Sequence, residues 1–176
     1  GLTLATLEHE PVLLLALSNG KLLCLSASDG SQRWQHEMPG FPDRWIYTLP
    51  VVDGQTVVVG QPSGSVAVDL STGSRIWEAG QHWELSVNCI RQFPVVGDDG
   101  CLFAVQPHKL ANAFGPGNHW IAALVKSRVS DGGVEWTVPL LDTDLDAGLL
   151  SSVPTDAGLY QLRFGSPVLA GGLVVV

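Results

Sequence analysis

Cysteine pairs are what this sequence most plainly lacks. Its three cysteines, Cys24, Cys89 and Cys101, are odd in number and show no C-x-x-C spacing, so neither a zinc site nor a thioredoxin-like redox pair is indicated. They read as buried free thiols, with Cys24 inside the apolar alternation Leu22 to Leu25. The alternative is a Cys89 to Cys101 bridge in an oxidising compartment, which sequence spacing alone cannot bring within bonding distance. Positive charge is scarce as well. Nine basic residues stand against seventeen acidic ones, a net charge of −8, and a nucleic-acid partner has no electrostatic footprint here. The longest apolar runs, such as Val12 to Leu17 and Leu173 to Val176, fall far short of the roughly 20 residues of a membrane-spanning helix. No basic segment followed by an apolar one opens the chain at Gly1, so no export signal is expected within it.

Catalytic signatures are missing too. There is no G-x-S-x-G elbow and no phosphate-binding loop. The histidines, His9, His36, His82, His108 and His119, are scattered without metal-ligand spacing. Asp142, Asp144 and Asp146 form D-x-D-x-D, a weak candidate for calcium. A calcium loop of the EF-hand type wants glycine at its sixth position and glutamate at its twelfth, where Ala147 and Val153 stand. The segment therefore reads as a solvated acidic loop.

What the chain does have is a repeat. Val66 to Trp77 reads V-A-V-D-L-S-T-G-S-R-I-W, Leu23 to Trp34 reads L-C-L-S-A-S-D-G-S-Q-R-W, and Val125 to Trp136 reads V-K-S-R-V-S-D-G-G-V-E-W. Glycine precedes tryptophan by four residues each time, at Gly30 and Trp34, Gly73 and Trp77, and Gly132 and Trp136. Glycine supplies the positive φ of a tight turn, and tryptophan supplies a large ring to bury between sheets. Around the second copy, short valine- and threonine-rich runs at Leu49 to Val52, Thr56 to Gly60, Ser65 to Asp69 and up to Trp77 alternate with turns. They predict a four-stranded antiparallel meander. Gly30 and Gly73 lie 43 residues apart, and Gly73 and Gly132 lie 59 apart. The excess falls in Gln106 to Trp120, which the prolines Pro107 and Pro116 mark as a long loop. Phe114, Asn118, His119 and Trp120 make a candidate contact surface there, although Trp120 is assigned instead to the strand that follows.

A period near 43 residues with four strands per unit predicts an all-β chain forming part of a β-propeller. The expected organisation is one partial propeller domain over residues 1–176. Its blade units are 1–40, 41–85 and 86–140, with 141–176 leading into the next blade. Propellers typically close with about four to eight blades, so a fragment of a longer protein, or self-assembly to complete the ring, is expected.

The second copy resembles the tryptophan-docking motif of the pyrroloquinoline-quinone (PQQ) type repeat, on Ala67, Asp69, Thr72, Gly73 and Trp77. Ser26 and Asp29 in the first copy, and Arg128 and Asp131 in the third, stand where that motif has aspartate and threonine. The resemblance implies that Trp34, Trp77 and Trp136 pack between adjacent blades, with Gly30, Gly73 and Gly132 making the turns. It implies an extracytoplasmic location and a non-catalytic scaffold for a protein or ligand, with no cofactor. Its alternative implication is part of a PQQ-dependent oxidoreductase with PQQ and calcium at the propeller centre. The adjacent cysteine pair of such enzymes is absent, and no catalytic aspartate is assigned.

Overall fold

The computed structural model describes residues 1–17, 19–38, 49–61, 64–80, 94–111, 118–140, 168–170 and 173–175. Every regular element among them is a β-strand. The first sheet is an antiparallel meander of β1 (Leu2–Leu7), β2 (Glu10–Ala16), β3 (Lys21–Ser26) and β4 (Gln32–Glu37). The second runs β5 (Val51–Asp53), β6 (Thr56–Gln61), β7 (Gly64–Asp69) and β8 (Arg75–Gly80). The third runs β9 (Val95–Val96), β10 (Cys101–Ala111), β11 (Asn118–Arg128) and β12 (Val134–Pro139). A final hairpin pairs β13 (Val168–Ala170) with β14 (Leu173–Val175).

The three four-stranded sheets stack face to face, and the period of two along each strand decides which residues make each contact. One core joins Val12, Leu14, Leu22, Cys24 and Trp34 of the first sheet to Val57, Val59, Val66, Val68 and Leu70 of the second. A second core joins Val58, Ala67 and Trp77 to Leu102 and Val129 of the third. Val57 and Val59 therefore point one way and Val58 the other, all fully buried. An unbroken valine run is what a strand covered on both faces requires. A third cluster, Cys101, Phe103, Val105 and Leu124 with Leu140, lies on the other face of the third sheet.

One reading of the sequence needs correction. It concerns Gln106 to Trp120, expected as a long loop. Gln106 to Ala111 instead pairs with Asn118 to Ala123, extending the β10–β11 ladder. Compared with the β6–β7 hairpin, which ends at Gln61 and Gly64, five further register pairs continue from Pro107 and Ala122 to Ala111 and Asn118. Trp120 lies in β11 opposite Lys109, in the strand assigned to it. Pro107 stays in the ladder, a position more common at edges and bulges than inside sheets. Asn118 and His119 are also strand residues, whereas Phe114 lies outside the described residues. Cys24 and Cys101 are buried free thiols, as read from the sequence, and the alternative bridge to Cys101 is not formed. Cys89 lies outside the described residues.

One strand left no signal in the sequence. β1 joins β2 through Glu8 and His9, whose φ values are +51° and +71°, between the paired Leu7 and Glu10. A two-residue hairpin turn of this kind normally announces itself by asparagine or glycine, and neither is present.

Candidate functional site

The repeated turn is the most organised polar structure among the described residues. At its centre Gly73 N–H donates to the Asp69 carbonyl at 2.8 Å, and Asp69 N–H donates to the Ser74 carbonyl at 2.9 Å. The same two backbone bonds recur from Gly30 to Ser26 and Ser26 to Ser31, and from Gly132 to Arg128 and Arg128 to Gly133. Side chains reinforce the frame differently in each copy. One Asp69 carboxylate oxygen accepts from Ser71 N, Ser71 Oγ, Thr72 N and Thr72 Oγ1 at 2.5–3.0 Å. These bonds, led by the Ser71 hydroxyl, hold its carboxyl below the usual range. In the first copy Asp29 plays this part toward Ser31. In the third, Asp131 accepts from Gly133 N and pairs with the Arg128 guanidinium.

The second and third turns each serve two sheets. Leu70 N–H donates to the Gln55 carbonyl of its own sheet, and Val129 N–H to the Gly100 carbonyl. The carbonyls of these residues face the preceding sheet, where Trp34 Nε1 donates to Leu70 O at 2.8 Å and Trp77 Nε1 to Val129 O at 2.7 Å. The indole rings then lie flush on glycine. A Cβ at Gly73 would stand 2.6 Å from Trp34 Cε3, and one at Gly132 would stand 2.8 Å from Trp77 Cε3. Gly73 and Gly132 thus answer two demands, a positive φ near +70° and the close approach of an aromatic ring. A register shift completes the pattern. It falls between Cys24 and Leu25, Ala67 and Val68, and Lys126 and Ser127, beside each tryptophan, where a bulge bends the strand and re-aims the side chain.

The third copy departs from the other two. Trp136 is 38% exposed, against 8% for Trp34 and 9% for Trp77. Among the described residues its ring meets Phe103, at a centroid distance of 5.9 Å and a tilt of 56°, and no turn carbonyl. Its cross-strand neighbour is Lys126, where the earlier copies have Cys24 and Ala67. Lys126 Nζ lies 2.9 Å from Asp99 and 3.1 Å from Glu135, and 5.7 Å from the centre of the Phe103 ring. The lysine holds the Asp99 carboxyl below its ordinary range.

Asp142, Asp144 and Asp146 lie outside the described residues. Among the described residues no three His, Cys, Asp or Glu side chains gather to ligate a metal. The described residues therefore do not supply the acidic donor set that PQQ with calcium would need, and no reaction step is derived through that pair. Burial pushes the Cys24 and Cys101 thiols up, away from the thiolate form a nucleophile requires. A polar cleft between the first two sheets, lined by Glu10, Ser26, Asp29, Arg33 and Ser71, holds the paired Arg33 and Glu10.

Stacked four-stranded antiparallel sheets, each linked to the next through a tryptophan and a glycine turn, define blades of a β-propeller. The chain belongs to the family described as outer membrane protein assembly factor BamB, whose sequence profile matches residues 6–176. It is a propeller of the PQQ-like repeat type. Among solved structures, BamB from Moraxella catarrhalis is similar, with a TM-score of 0.62 and 19% identity over 93% of this chain. A europium-containing methanol dehydrogenase is similar at a TM-score of 0.57 and 16% identity over 77% of this chain. A quinohemoprotein alcohol dehydrogenase from Comamonas testosteroni gives a TM-score of 0.54 and 16% identity over 73%. The chain spans 42%, 31% and 26% of those structures respectively. Comparison with curated protein sequences returns no match.

Proposed function

We propose that this chain contributes blades to a non-catalytic, extracytoplasmic propeller that binds a protein partner and acts in outer membrane protein assembly. The observation that carries this reading is the family profile, which runs through nearly the whole repeat array. The site chemistry agrees with it. The tight turns and buried tryptophans are spent on joining one sheet to the next, and the two described thiols are held protonated. Trp34 and Trp77, with Gly73 and Gly132, act as fasteners between blades in this reading, and residues 1–176 form one partial propeller domain. The extended β10–β11 hairpin is the element that sheet stacking does not need, and it is our candidate for partner contact. No helix among the described residues is long and apolar enough to cross a membrane.

The alternative is part of a PQQ-dependent oxidoreductase, whose fold the chain shares with two dehydrogenases. The test is to add PQQ and calcium to the complete protein and follow quinone absorbance and dye-linked alcohol oxidation. Neither signal should rise above the protein-free control. Reconstituted oxidation would overturn the scaffold reading.

A further inference from the structure

The β10–β11 ladder brings together two histidines that stand far apart in sequence. Its register is unbroken from Cys101 opposite Arg128 to Ala111 opposite Asn118, so the period of two assigns every paired residue of the extension to one face or the other. Leu102 belongs to the core shared with the second sheet, whereas Phe103 and Val105 belong to the cluster on the opposite face. His108 and Leu110 therefore share the face of Leu102, together with the residues opposite them, Ile121 and His119. His108 and His119 occupy diagonal positions on that face. It is the face against which the second sheet stacks, not the one turned toward the end of the stack. The β6–β7 hairpin stops at Gln61 opposite Gly64, the counterpart of Gln106 opposite Ala123, so both histidines lie in the pairs that continue past it.

Diagonal neighbours on one face of an antiparallel pair stand roughly 7–8 Å apart, with their β-carbons somewhat closer. One ion with bonds of about 2.0–2.1 Å to each ring nitrogen spans two imidazoles held at such positions. Imidazole suits zinc, copper and nickel, whereas calcium and magnesium take oxygen ligands. The rest of the hairpin gives the pair no other employment. Residues 107–122 contain no aspartate or glutamate to pair with an imidazolium. Lys109, opposite Trp120, falls on the other face, so no cation of the ladder shares the face of the histidines. The chain's net charge of −8 favours the approach of a cation.

We propose that the extended β10–β11 hairpin carries a divalent transition-metal site, for zinc or a metal of like chemistry, at the diagonal positions of His108 and His119. Two imidazoles leave further coordination positions open to water or to a donor from outside the chain. The site goes beyond the scaffold function and does not rest on it.

Isothermal titration of the complete protein with zinc chloride, in a buffer that does not bind metal, tests it. Because the second imidazole acts as a tethered ligand, His108→Gln and His119→Gln should each weaken the same zinc site on the order of 100-fold. The site should empty at a pH of about 5, below the ordinary histidine pKa of about 6.5, since a protonated imidazole cannot ligate. The register supplies two further variants. His119→Gln/Ile121→His keeps two histidines on the face and should restore zinc binding, whereas His119→Gln/Trp120→His puts the second on the opposite face and should not. A wild type that takes up no more zinc than the single variants would overturn the proposal. So would failure of the same-face variant to restore binding, or equal restoration by both double variants.

Discussion

Trp77 touches two blades at once, so its removal should cost both packing and a buried hydrogen bond. Trp77→Ala is expected to destabilise the chain by about 3–5 kcal/mol, measured by denaturant unfolding. The glycines separate backbone strain from ring contact. Gly30→Ala meets only a strained φ, whereas Gly73→Ala also drives a methyl group into the Trp34 ring. Both should destabilise, by more than roughly 1 kcal/mol at an incompatible φ, and Gly73→Ala should be the worse of the two. Equal losses would show that the ring moves aside freely. His36 lies at the joint between the first two blades, with Nε2 buried and unpaired. Burial lowers its pKa below 6.5, with the Gly73 carbonyl opposing and the Arg75 charge assisting. The folded chain therefore prefers the neutral ring. The stability it contributes is full above pH 6.5 and declines as pH falls below that value toward the lowered one. His36→Gln should flatten the melting temperature against pH in this window, distinct from the lower window in which Asp69 is protonated.

The strands were legible wherever side chains alternate between two apolar environments, as along Thr56–Gln61 and Gly64–Asp69. The glycine-to-tryptophan spacing pointed to the turns because tryptophan is scarce, with six in the chain, and three of the six follow a glycine by four residues. Three features were not legible, each for a physical reason. The Glu8–His9 turn adopts positive φ without the residues that usually signal it. The β10–β11 extension contains Pro107, which argues against a strand in sequence although the ladder accommodates it. The bulge beside each tryptophan is a register shift, and register depends on the partner strand. The extension also makes a prediction at this scale. Replacing Pro107 to Ala122 with the short turn of the β6–β7 hairpin should leave the unfolding midpoint close to wild type, since these pairs lie beyond the last one with a counterpart in the second sheet. A large fall would mean that the hairpin packs back on the blades.

At the scale of the molecule, stability accrues sheet by sheet, as in other repeat proteins where each unit contacts its neighbours. The apolar core is divided between two joints, one through Trp34 and one through Trp77, and each has its own hydrogen bond. The joints are one-sided in what they ask of the sequence. The donor must be an indole, but the acceptor is a main-chain carbonyl that any residue provides. Leu70 and Val129 serve equally well, and Ser26, Asp69 and Arg128 all open the same turn. Turn side chains are therefore free to diversify from blade to blade without loosening the stack. A rim of unlike loops can be carried on like joints, and the surface a partner meets can change while the frame beneath it does not.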